Sequence, residues 1–194
     1  LTTWRLVISF IILGVSIYGN TFDTIWGEVS KYETSTVVKN KHEHSKYGIR
    51  ENTLNEFNKE YGVSWTVDEL TYVQAKLIAE NEFYFKYNIN AINDVSLQLM
   101  VFDWVYNAGP TEAIKHLQRV ANDYIYQLRK EGYTMEYLVV DGVLGGYTIR
   151  VLNLLSNPKL VHDYKIIRIL TYRNKPRFKL YGKGWVYRIN KLAI

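Results

Sequence analysis

The chain contains no cysteine in its 194 residues. A disulfide framework and a thiolate metal site are therefore excluded, and the redox compartment is left open. Only three prolines occur, and no low-complexity run is present, which argues against a long disordered linker. Acidic residues are outnumbered, 19 against 24 Lys and Arg, for a net charge of +5. That balance favours an acidic partner such as a cell-wall polymer, anionic lipid or nucleic acid. The basic residues are dispersed except between Arg168 and Arg188, so a nucleic-acid surface is weakly supported and no nucleic-acid partner is expected. Long apolar runs are scarce too. The one that stands out is Leu6 to Tyr18, preceded by Arg5, with the next formal charge at Asp23. It is short of the ~20 apolar residues that span a bilayer as a helix. It reads as a weakly hydrophobic signal or anchor segment with the body of the protein outside the cytoplasm; a buried core helix is the alternative.

What is abundant is aromatic: 17 Tyr, seven Phe and five Trp. Such side chains suit sugar-binding clefts as well as cores. The length allows one compact domain with a small appendage. Leu97, Met100, Val101, Trp104 and Val105 recur at helical spacing, which predicts a buried helix. Gly109-Pro110 then marks a corner, since Gly closes helices and Pro suits a first helical turn. Ala113, Ile114, Leu117 and Ala121 stripe a second helix, and small Ala108 and Gly109 are expected to let the pair approach closely. Asp94 is placed to cap the first of these helices.

Elsewhere, Phe22, Ile25, Trp26, Val29 and Tyr32 form one face of an amphipathic helix ending at Glu33. Thr66 and Glu69 are spaced as a capping box opening a helix with Leu70, Val73, Leu77 and Ile78. Asp141-Gly142 predicts a turn and Gly145-Gly146 a corner before a helix near Thr148. His42-x-His44 has the alternation of a metal pair on an extended segment but no third ligand at fixed spacing, so no metal is expected.

Phe102-Asp103-x-x-x-Asn107-x-Gly109-Pro110-x-x-Ala113-Ile114-x-x-Leu117-Gln118 closely resembles the central motif of glycoside hydrolase family 108, lysozyme-like N-acetylmuramidases of phages and bacteria. Tyr32-Glu33-Thr34-Ser35-Thr36-Val37 resembles the family's Glu-Gly-Gly-Tyr-Val, with Thr34 and Ser35 in place of both glycines. Ser45-Lys46-Tyr47-Gly48-Ile49 resembles its Thr-x-Tyr-Gly-Ile; counting back from that anchor, the family's loop Asp falls on Asn40. Asp141-Gly142-x-x-Gly145-x-x-Thr148 resembles the signature that opens the peptidoglycan-binding part of these proteins, and Gly184-Trp185-x-x-Arg188 the segment that closes them. The resemblance runs from about Phe22 to Leu192.

The resemblance implies an all-α, lysozyme-like domain over 22–122, after the hydrophobic segment 1–21, with an insertion and a small helical peptidoglycan-binding subdomain over 123–194. It implies a peptidoglycan hydrolase that cleaves the β-1,4 bond between N-acetylmuramic acid and N-acetylglucosamine, without cofactor. Its place is the cell envelope, held at the membrane through residues 6–18, or a virion. Glu33 takes the place of the catalytic acid. Glu43 is the nearest replacement for the missing Asp, and Ser45 is placed to orient a water. Tyr47, Asp103, Asn107 and Trp185 are the expected substrate-side residues, with Asp103 also read as a structural hydrogen-bonding group and Asn107 equally as a helix cap. A non-catalytic, peptidoglycan-binding or structural relative is the alternative function.

Overall fold

The computed structural model describes residues 21–41 and 43–193. The apolar run Leu6 to Tyr18 and its anchoring role lie outside the described residues, as does His42. Among the described residues no helix is long and apolar enough to cross a membrane.

Residues 21–29 form α1, whose Phe22, Ile25, Trp26 and Val29 face the core at i, i+3, i+4 and i+7. A 3-10 turn, Ser30–Tyr32, ends it, and Glu33 follows in extended backbone. The chain then makes a three-stranded antiparallel meander: β1 (Val38–Asn40), β2 (Glu43–Lys46) and β3 (Ile49–Arg50). This small sheet, where the sequence suggested only a loop, is an addition to a fold that is otherwise mostly helical and lysozyme-like, as expected. Lys46 pairs with Ile49, so Tyr47-Gly48 is a two-residue hairpin loop. Both carry positive φ, 54° and 79°, the requirement of a type I′ turn whose twist matches the flanking strands.

α2 (Glu51–Tyr61) closes on left-handed Gly62, and α3 (Tyr72–Ala79) follows. The Thr66–Glu69 bonds form, yet they stabilise a turn and not the helix start. A second box five residues later, Thr71 with Gln74, caps α3. α3 runs on as a π-helical stretch, Glu80–Phe85.

α4 (Val95–Ala108) and α5 (Pro110–Lys130) make the expected hairpin, with Asp94 Oδ1 accepting from the Leu97 N–H at 2.9 Å. Gly109 joins them at φ 91°. A Cβ at Gly109 would meet no atom within 4 Å, so its backbone angles, and not close helix approach, demand glycine there. α4 is buried on nearly every side from Leu97 to Val105, which makes it the axis of the molecule.

After α5 the chain returns along it in extended form. Asn122 clamps Leu138 by both its N–H and C=O, at 2.7 and 2.9 Å. Gln118 donates to Asp141 and Val143 and accepts from the Gly142 N–H. α6 (Gly146–Leu155), α7 (Pro158–Arg173) and α8 (Phe178–Lys191) complete the chain. α5 runs unbroken through residue 122, where the sequence placed a boundary. One buried apolar cluster extends from Phe22 to Leu192, with α7 packed on α4: Trp104 lies against Tyr164 and Tyr172 at ring distances of 5.1 and 6.2 Å.

Candidate active site

Three separate parts of the chain meet at the end of α4. The turn after α1 supplies Glu33, the hairpin supplies Glu43 and Gly48, and the α4 terminus supplies Tyr106 and Asn107. Together with Arg50, Thr53 and Phe83 they line a cleft of about 500 Å³. The π-helical stretch brings Phe83 to this wall while Tyr84 stays fully buried. Phe83 meets Tyr106 edge to face at 4.8 Å.

Glu33 is held from two sides. The Tyr47 N–H donates to the Thr34 carbonyl at 2.8 Å, tying the segment after Glu33 to the hairpin turn. Tyr106 Oη donates to the Tyr47 carbonyl at 2.7 Å, tying the same turn to α4. Gly48 lies against the carboxylate so closely that a Cβ there would stand 2.7 Å from Glu33 Oε2 and 2.8 Å from Tyr106 Cε1. Tyr106 and the hairpin form the wall beside the carboxylate, while Trp26 and Val29 of α1 lie in the core.

The remaining oxygen, Glu33 Oε1, accepts from Arg188 Nη2 at 2.7 Å. Arg188 also donates through Nε and Nη2 to Asp103 Oδ1, at 2.9 and 2.6 Å. Arg168 Nη1 stands 2.7 Å from the other Asp103 oxygen. A chain of alternating charge thus runs Arg168, Asp103, Arg188, Glu33. Asp103 is completely buried and so cannot contact substrate. The substrate-side reading of Asp103 gives way to its structural one, with arginines as its partners along with Asn107.

Burial pushes the Glu33 carboxyl above its ordinary value, and the neighbouring charges of Asp103 and Glu43 add to the rise. Arg188 pulls in the opposite direction by charge and hydrogen bond without cancelling it. For Asp103 burial is the largest single influence and raises its pKa, yet Arg168 and Arg188 together outweigh it and hold the carboxyl below its usual range. Burial also drives the Tyr106 hydroxyl well up, so it stays a donor.

Ser45 is buried and donates to Glu43 Oε1 at 2.7 Å. It fixes Glu43 where the sequence reading had it orienting a water. Asn40 is the direct cross-strand partner of Glu43, and directly opposed residues project from the same sheet face. Asn107 is exposed at the cleft edge and donates to the Asp103 carbonyl at 2.8 Å, so it both lines the cleft and caps its own helix end. Tyr47 packs edge to face on Tyr72 at 6.0 Å and is not among the cleft-lining residues. Trp185 is half-buried against Tyr172 and lines a second, adjacent pocket. His44 pairs with Glu51 and Asp68 at 3.1 and 3.2 Å. Among the described residues no cluster of three His, Asp or Glu is placed to hold a metal.

Arg168 was not among the expected site residues, and Arg188 appeared only inside a motif. A signal for Arg168 exists: Leu160, Tyr164, Arg168 and Tyr172 are spaced by four along one stripe of α7, and all are buried. A cation on an apolar stripe requires a buried partner, and Asp103 is the acid inside the most apolar helix.

The glycosyl hydrolase 108 family model matches residues 29–109, from the end of α1 to the α4–α5 corner. The match contains Glu33, Glu43, Asp103 and Asn107 and stops short of both arginines. Among solved structures the chain is similar to SagA of Brucella abortus. The identity is 20% and the TM-score 0.69, over 89% of this chain and 91% of that one; this likeness defines the fold. Comparison with curated proteins finds no match.

Proposed function

We propose that this chain is a peptidoglycan hydrolase, an N-acetylmuramidase that cleaves the β-1,4 bond between N-acetylmuramic acid and N-acetylglucosamine. The observation that carries the reading is Glu33: a carboxyl raised by burial, at the wall of a cleft that holds a second carboxylate, Glu43. Glycoside hydrolysis needs this pairing, an acid still protonated near neutrality and a second carboxylate at the scissile bond. The match to the glycosyl hydrolase 108 family model supports it.

In this reading Glu33 donates its proton to the leaving glycosidic oxygen. Oε1 is engaged by Arg188, so Oε2, beside Gly48, is the oxygen that carries it. Glu43 acts from the next strand, beside the Asn40 position where the family's Asp falls, and Ser45 sets its orientation. Asn107 holds substrate at the rim. The enzyme works in the cell envelope, and an anchor in Leu6 to Tyr18 would hold it at the membrane face of that layer; detergent-free fractionation of the intact chain tests the anchor.

Turbidity clearing of purified peptidoglycan tests the hydrolase, comparing wild type with Glu33→Gln. A positioned general acid contributes about 10²- to 10⁴-fold, so the variant is expected to lose at least about 100-fold. A second reading, a non-catalytic peptidoglycan binder, is favoured by one observation: Arg188 already occupies the Glu33 carboxylate. Pelleting with peptidoglycan without any clearing is the result that would select it.

A further inference from the structure

Beside the cleft, across Asn107 and Ala108, lies a second pocket of about 240 Å³. Arg168, Lys175 and Arg188 line it with Tyr172 and Trp185, and no carboxylate does. The charged groups of the pocket are therefore all hydrogen-bond donors. A bare sugar, which offers hydroxyls that both donate and accept, would leave such a wall poorly matched; an oxyanion suits it.

The charges point the same way. Asp103 sits between Arg168 and Arg188, Glu33 takes one bond from Arg188, and Glu112 pairs with Lys175 at 2.8 Å. With Glu33 protonated, as an acid catalyst must be, three cations face two carboxylates, Asp103 and Glu112. One positive charge is left without a partner. Arg168 adds an unmet need: it is 1% exposed, and its Nε has no hydrogen-bond partner among the described residues. The Trp185 and Tyr172 rings, 5.3 Å apart, supply apolar wall next to the donors. At this volume the pocket is below the roughly 300–1,000 Å³ of ordinary ligand sites. It accommodates a substituent and not a glycan strand.

We propose that this pocket is a subsite for a carboxylate of the peptide stem carried by the muramic acid, an inference that rests on the hydrolase reading above. The stem enters beside Asn107 as the glycan lies in the cleft, its carboxylate is met by Lys175 and Arg188, and its short aliphatic side chains lie on Trp185. The bound carboxylate supplies the negative charge that the protonated form of Glu33 withholds. The subsite thereby selects peptide-bearing glycan over neutral polymers of N-acetylglucosamine.

Calorimetric titration of the Glu33→Gln protein tests this without turnover. The ligands are a disaccharide muropeptide with free stem carboxylates, the same compound with those carboxylates amidated, a chitin oligomer, and inorganic phosphate. The acid form is expected to bind about tenfold more tightly than the amide, the value of one charge-assisted hydrogen bond. Lys175→Met in the same background is expected to weaken that preference severalfold, Arg188 remaining in place. Lys179→Met, the same charge change on the exposed outer face of α8, is expected to keep it. Equal affinity for acid and amide, or a preference undiminished by Lys175→Met, overturns the subsite. Phosphate competing as tightly as the acid muropeptide overturns the stem assignment in favour of a general anion site. Wild-type clearing of peptidoglycan is scored separately. Clearing without acid preference removes the subsite and leaves the hydrolase; acid preference without clearing does the reverse.

Discussion

Arg188 donates to the carboxylate of Glu33 across 155 residues of sequence, at 2.7 Å. α8 therefore sets the charge environment of a group on the turn that follows α1. Arg188 can do so because Asp103 takes two further bonds from its guanidinium, and Arg168 balances the other oxygen of Asp103. The C-terminal helices are thus part of the site.

Removing Arg188 should move the pH profile. The guanidinium favours the ionised form of Glu33, so its loss raises the Glu33 pKa further. An acid catalyst loses activity as pH rises through its pKa, so the alkaline limb of kcat/KM should shift upward in Arg188→Met and less in Arg188→Lys. A full pH–rate profile of the three proteins measures this. An unchanged alkaline limb would mean that Arg188 does not act on the ionisation of Glu33.

Asp103→Asn should be among the most damaging single substitutions. It leaves Arg168, buried at 1% exposure, without a counter-charge and Arg188 with Glu33 alone, and breaking a buried pair from one side costs about 3–5 kcal/mol. Acid should mimic part of the effect. The folded Asp103 pKa lies below its reference of 3.8, so its contribution is present above that value and is lost as pH falls through the lower, folded one. Urea midpoints of wild type and variant between pH 7 and pH 2 should converge at the acid end.

Gly48→Ala tests the fit beneath Glu33. The position has φ +79°, and the new Cβ would crowd both Glu33 Oε2 and Tyr106. Left-handed backbone at a non-glycine residue costs roughly 1–2 kcal/mol, and the contact should displace the carboxylate as well. A lowered melting temperature accompanied by a kcat loss larger than any rise in KM is the expected pattern.

Glu33→Gln should lose function yet gain stability near neutrality. A carboxyl whose folded pKa is raised binds more protons folded than unfolded, so its contribution declines as pH rises through 4.5 and on to the folded value. The neutral amide escapes that loss. Thermal midpoints should favour the variant at pH 7, and the difference should shrink towards pH 4.

The helical frame was legible because its signals are local. Asp94, Gly109 and Pro110 punctuate α4 and α5 at the expected places, and the α1 stripe needs only i, i+3, i+4 spacing. The sheet was not, since strands of two to four residues leave little alternation to read and Tyr47-Gly48 is not the Asn-Gly or Asp-Gly pair that announces a type I′ turn. Thr66–Glu69 shows how capping-box spacing misleads: its hydroxyl bonds form over a turn, while the complete reciprocal box is the one at Thr71, which precedes a helix. At the site, Glu33 came from resemblance alone, because an isolated helix-end glutamate carries no mark of its burial. The arginines escaped because Arg188 and Asp103 lie 85 residues apart and a basic run reads as a solvated face until the partner acid is placed.

The central claim is that Glu33 delivers the proton that breaks a glycosidic bond in this cleft. Mass spectrometry of the soluble products from purified peptidoglycan, after borohydride reduction, tests it directly. Wild type is expected to release muropeptides whose reducing end is N-acetylmuramic acid, and Glu33→Gln, folded and at equal concentration, none above background. Products with another end group, or the same products from Glu33→Gln at an undiminished rate, would contradict the account.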